Sequence, residues 1–256
     1  MFTSEERERL RTEIIAELRA DPRVTGAAIT GSASVGKEDR WSDIDLAFGV
    51  RGAGEIPALL NDCTERMFAA HGAAHHVDVQ AGAWIYRVFL LRSSLQVDLA
   101  FAPASEFGAR APSFKLVHGV AAPAAHLPPP RAEFLAGMAW LHALHVRPSV
   151  ARGRHWQAEY MLSAARDHAL ALACLRHGLP TADGRGFDSL PADVRDRFRA
   201  GLTGSLEGAD LVRAFRIVID GLIVEIEHAD PLLAQRLRVP LRELLESTAA
   251  TVGATR

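Results

Sequence analysis

The chain has 256 residues, 48% of them hydrophobic and 23% charged, with a formal net charge of -2. That is enough for one large or two small domains with a sizeable core, in the ordinary range of a soluble globular protein. The near-neutral balance gives no bulk electrostatic sign of a nucleic-acid binder.

Two cysteines, Cys63 and Cys174, stand far apart without a CxxC context. This argues against a zinc site or a disulfide framework and fits a reduced, cytoplasmic setting. The charged N-terminus reads as neither a signal peptide nor a membrane span.

In chain order, residues 4–20 read as an amphipathic helix. Leu10, Ile14, Ile15 and Leu18 recur at helical intervals, Thr3 and Glu6 have capping-box spacing, and Asp21-Pro22 ends the helix. Residues 24–30 form a short apolar strand followed by a Gly31-Ser32 turn, after which a short helix can start. Residues 43–50 are a second strand in which Ile44, Leu46 and Phe48 face one way, and Asp43, Asp45 and Ala47 the other. A helix over 57–70 precedes strands near 75–79, 84–91 and 95–101. In the last of these Asp98 lies opposite Val97, Leu99 and Phe101.

Residues 102–130 are rich in Pro, Ala and Gly, and a domain boundary or hinge is placed there. Beyond it the periodicity is helical. Phe134, Met138 and Leu141 form a stripe, and 155–176 a second helix in which Trp156 and Tyr160 read as packing residues. The segment after it, GLPTADGRGFDSLP, is a loop. Leu211, Phe215, Val218 and Leu222 mark a third long helix, and Asp230-Pro231 opens the last helical region. The expected fold class is α+β: a mixed-sheet domain over 1–127, then an all-α domain over 128–256.

The chemistry concentrates in three aspartates. Asp43 and Asp45 share a strand face, and Asp98 stands alone on the non-core face of another apolar strand. Aspartate is depleted in strands, and like charges brought together invite a cation. Magnesium prefers oxygen ligands and binds through a few carboxylates plus phosphate oxygens. Backbone N–H groups at a Gly-Ser turn favour phosphate oxygens, and Ser32 adds a hydroxyl donor. Lys37 and Arg40, in the following loop, are candidates for further phosphate contacts, against the plainer reading of solvated loop charges.

The run GSASVGKEDRWSDIDLAF resembles the signature of the DNA polymerase beta-like nucleotidyltransferases. It has an apolar strand, Gly-Ser, a spacer of about ten residues and Asp-x-Asp in a second strand, and VDLAF at 97–101 supplies the third carboxylate. The resemblance implies a nucleotidyltransferase domain that binds ATP or another nucleoside triphosphate. It implies Gly31 and Ser32 at the phosphates, and Asp43, Asp45 and Asp98 as ligands to magnesium, two ions being expected, with Asp98 near the attacking hydroxyl.

The helical half is similar to that of aminoglycoside and lincosamide nucleotidyltransferases, which attach a nucleotide, usually AMP, to an antibiotic hydroxyl. That similarity implies a small-molecule acceptor and a Glu general base. Glu159, on a polar stripe with Ser163 and Arg166, is the candidate. The rivals are a toxin–antitoxin type enzyme acting on protein or RNA, and a nucleotide-binding protein without turnover. The lack of a basic stretch argues against a nucleic-acid primer. A His76/Asp78 metal pair and a Ser163/Asp167/His168 hydrolase site are the weaker readings of two other clusters.

Overall fold

The computed structural model describes residues 2–253. The chain divides into two compact units, Met1–Leu127 and Pro128–Arg256.

The first unit is a six-stranded mixed sheet with helices. Helix α1 (Ser4–Arg19) is followed by β1 (Val24–Thr30), the short α2 (Gly31–Ser34), β2 (Ile44–Val50), α3 (Ile56–Ala69), β3 (Ala73–Ala81), β4 (Trp84–Leu91), β5 (Gln96–Pro103) and β6 (Phe114–Gly119). The sheet order is β3-β4-β5-β2-β1-β6. Every pair is antiparallel except β2 with β5.

Strand alternation sorts the residues of this sheet onto two faces. Ile44, Leu46, Phe48, Val97, Leu99 and Phe101 form one face and pack with Ile14 and Leu18 of α1 and Leu59 and Met67 of α3. Phe48 and Phe101 are fully buried, and their rings stack with centroids 5.5 Å apart. Burying each such side chain is worth about 1.5–3 kcal/mol. On the other face Ala28, Ala47, Ala100 and Ala102 lie under Trp84 and Phe107. Phe107 sits so close that a Cβ on Gly26 would come within 2.5 Å of its ring and one on Gly49 within 2.8 Å. Glycine is therefore required at both positions.

The capping box of Thr3 and Glu6 is formed in both directions. Several boundaries differ from expectation. Helix α2 begins at Gly31 itself, and β3 runs over Ala73–Ala81 where 75–79 was expected. Strand β6 falls inside the segment read as a hinge and pairs antiparallel with β1. None of its residues is buried, so no two-residue hydrophobic alternation marks it.

The second unit is helical: α4 (Ala132–Ala151), α5 (His155–Arg176), α6 (Ala192–Arg199), α7 (Gly208–Ala229) and α8 (Pro231–Gly253). The stripe expected in α4 is corrected, because Phe134 and Leu141 are exposed. The buried face is Leu135, Ala136, Ala139, Ala143, Val146 and Val150. It joins Ala158, Leu162, Ala165 and Ala169 of α5 in one core, and the small side chains let the two backbones approach. The packing role expected for Trp156 and Tyr160 is also corrected, since both are mostly exposed.

Leu211, Phe215, Val218 and Leu222 are fully buried, as their spacing predicts. Asp230 caps α8 by accepting from the Leu233 amide at 2.9 Å. Helix α6 has no counterpart in the sequence reading: eight residues with only Val194 and Phe198 buried are too few to show a period. Within this core Glu225 is 1% exposed and paired with Arg176 and Arg197.

Candidate active site

Strand β2 carries the Asp-x-Asp, and β5 lies parallel beside it. Asp45 and Asp98 are direct register partners, as are Ala47 and Ala100 two residues on. Adjacent strands lie about 4.8 Å apart, so the two carboxylates leave neighbouring backbones on the same face. Asp43 stands one residue before β2.

Burial pushes the Asp98 carboxyl up from its ordinary 3.8 to about 6, and the negative charge of Asp43 pushes in the same direction. Asp98 Oδ1 is buried without a hydrogen-bond partner. A buried, unsatisfied carboxylate oxygen under the influence of a second negative charge is unstable by itself and is relieved by a proton or a cation.

The Gly-Ser element is at the same place. Gly31 has φ of +60°, and a Cβ there would fall 1.9 Å from Asp45 Oδ2. No other residue fits: the left-handed backbone disfavours a side chain, and the carboxylate fills the space. Ser34 Oγ donates to the Gly31 carbonyl at 2.8 Å, and the Lys37 amide donates to the Ser32 carbonyl at 3.0 Å, which folds the chain back on the turn. Gly31 is thus pressed against Asp45, Asp98 stands beside Asp45, and Asp43 acts on Asp98 through its charge. The Lys37 side chain is exposed, and the Arg40 guanidinium lies over the Trp41 ring, 4.2 Å from its centroid.

The loop between Gly-Ser and Asp-x-Asp is held by residues the sequence reading passed over. Arg7 Nη1 donates to the Asp39 carbonyl at 2.6 Å and to the Ser42 carbonyl at 2.9 Å. Arg11 Nη1 donates to Glu38 at 2.7 Å. Both arginines are about 5% exposed. Asp39 accepts from the Trp41 amide and the Ser42 hydroxyl, bonds that hold its carboxyl below the usual range. The loop is therefore pinned just ahead of Asp43. The signal was present in the spacing: Arg7, Arg11, Ile14 and Leu18 make one buried helical stripe, with charge in its first two places.

Glu159 lies in the helical unit, half-buried, and accepts from Ser163 Oγ at 2.5 Å. The two weaker clusters are structural. Asp78 accepts from Arg87 Nε at 2.7 Å and Nη2 at 2.6 Å, while His76 packs against Phe68 and Phe89. Asp167 pairs with Arg166, and His168 stacks on His142.

Among the described residues no group of three or more His, Cys, Asp or Glu side chains stands assembled that could hold a metal by itself. Magnesium is commonly held by one or two carboxylates together with substrate phosphates, and an all-oxygen donor set with an orphaned buried oxygen fits that mode. No helix among the described residues is long and apolar enough to cross a membrane.

No family model matches the chain, and no curated protein matches it. Among solved structures it is similar to the crystal structure of an aminoglycoside 6-adenyltransferase from Bacillus subtilis, with 11% identity and a TM-score of 0.41. The alignment covers 95% of this chain and 99% of that one. A likeness this loose says nothing about chemistry, which the site's own residues have to supply.

Proposed function

We propose that the chain is a magnesium-dependent nucleotidyltransferase that moves AMP from ATP, or another nucleoside monophosphate from its triphosphate, to a hydroxyl of a small molecule such as an aminoglycoside-like antibiotic. The observation that carries this reading is the placement of Asp98 beside Asp45 on parallel strands, with Gly31 pressed against the Asp45 carboxylate.

Asp43, Asp45 and Asp98 are the residues that would hold magnesium, which when bound neutralises charge on the triphosphate and on the oxygens around the α-phosphorus. Gly31 and Ser32 bind phosphate oxygens, Ser32 through its hydroxyl. Lys37 and Arg40 serve as further phosphate contacts once the nucleotide is in place. The acceptor oxygen attacks the α-phosphorus, the bond from that phosphorus to the β-phosphate oxygen breaks, and pyrophosphate leaves. The acceptor's proton goes to a general base, the role for which Glu159 is the proposed residue. The pinned loop ahead of Asp43 fixes the carboxylates in advance, so catalysis rests mainly on positioning and charge neutralisation.

The test is pyrophosphate release from Mg-ATP across a panel of hydroxyl acceptors that includes aminoglycosides. The wild type releases pyrophosphate with at least one acceptor, and Asp45→Ala loses that release by about a hundredfold or more. Equal release by the two proteins overturns the reading.

A further inference from the structure

On the face of the sheet that bears Asp45 and Asp98, the strands run on into a small pocket of about 140 Å³. Its floor is Ala47 and Ala100, each the next position on the same face after an aspartate and so about 6.6 Å further along its strand. Thr30, immediately before Gly31, lines its edge. The walls are aromatic. Trp84 and Tyr86 of β4 stack with centroids 6.0 Å apart, and Phe114 of β6 closes the other side. The Arg110 guanidinium lies over the Trp84 ring, 5.6 Å from its centroid, and donates to the Ala81 carbonyl at 3.2 Å.

This pocket is too small for a whole drug-sized ligand, whose site usually occupies at least about 300 Å³. It is of the order of one ring system. Methyl groups below, aromatic side chains around and a guanidinium at the rim suit a planar heteroaromatic ring, which stacks on the aromatics and accepts hydrogen bonds from the arginine. The pocket lies one strand step beyond the carboxylates on the same face.

We propose that this pocket holds the base of the nucleoside triphosphate, with Tyr86 and Arg110 as its recognition residues. The proposal rests on the nucleotidyltransferase reading above. Base recognition here means that the triphosphate chain alone binds more weakly than the nucleotide, by about tenfold or more for one stacked ring.

Two probes separate the pocket from the phosphate site: α,β-methylene ATP and inorganic tripolyphosphate, each titrated calorimetrically with magnesium into the full chain. The wild type binds the nucleotide about tenfold or more tighter than tripolyphosphate. Ala100→Leu, which fills the floor, and Tyr86→Ala, which removes a wall, each close that gap while tripolyphosphate binding stays within about twofold. Variants that melt cooperatively and keep the nucleotide's advantage overturn the proposal, as does equal binding of the two probes by the wild type. Failure of both probes to bind the wild type overturns the nucleotidyltransferase reading, and this proposal with it.

Discussion

Replacing Asp98 by Asn removes a charge that the fold holds at a cost. The carboxyl titrates at about 6 in the folded protein and at its ordinary 3.8 when unfolded. Each tenfold change in acidity is worth about 1.36 kcal/mol, so above pH 6 the ionised Asp98 destabilises the fold by up to roughly 3 kcal/mol. The figure is a ceiling, because Asp98 keeps some exposure to solvent.

The sign follows from linkage: a raised carboxyl favours the folded state while protonated, and that advantage is lost as pH rises from about 4 through 6. Asp98→Asn, measured by urea unfolding in EDTA, is therefore more stable than wild type at pH 7.5, and the difference shrinks to near zero at pH 4. Magnesium narrows the gap at pH 7.5 by stabilising the wild type more than the variant, which has lost one of three ligands, through mass action. A wild type that is equally or more stable than Asp98→Asn at pH 7.5 without metal would refute the claim that this carboxylate is strained in the unliganded fold.

Three further outcomes follow from the geometry. Gly31→Ala puts a methyl into the Asp45 carboxylate and a side chain on a left-handed backbone; the backbone alone costs about 1–3 kcal/mol, and a denaturant melt together with loss of nucleotide binding reads it. Glu38→Ala takes the carboxylate from buried Arg7 and one of the two that Arg11 meets, Glu8 remaining, so thermal unfolding shows a loss of about 1–3 kcal/mol, and kcat/KM falls because the loop ahead of Asp43 loosens. Glu225→Ala leaves a cavity where the buried carboxylate was, while Arg176 and Arg197, both about one-third exposed, turn to solvent; it costs about 1–3 kcal/mol by urea unfolding, and Glu225→Met, which fills the space, costs less.

The site's ingredients were legible because strands publish their faces. Once residues 43–50 and 95–101 alternate, Asp45 and Asp98 must stand opposite their apolar neighbours, and parallel pairing then sets them side by side. What the sequence hid is of two kinds. Elements with no buried residue, or only two, leave no period, which is why β6 and α6 went unseen. Buried faces made of small or charged residues look like something else: the alanines of α4 lost to exposed Phe134 and Leu141, and Arg7 and Arg11 did not read as core. The aromatic pocket beyond the aspartates was hidden for a third reason, since Tyr86, Arg110 and Phe114 come from segments that only the sheet order brings together.

The most direct test of the central claim, that Asp43, Asp45 and Asp98 form one cation-dependent nucleotide site, is calorimetric titration of α,β-methylene ATP into wild type and Asp45→Asn, each with magnesium and with EDTA. The wild type binds with magnesium and loses at least about tenfold in affinity in EDTA, whereas Asp45→Asn binds weakly in both. Binding by the wild type that is indifferent to magnesium, or an Asp45→Asn protein that binds as the wild type does, contradicts it.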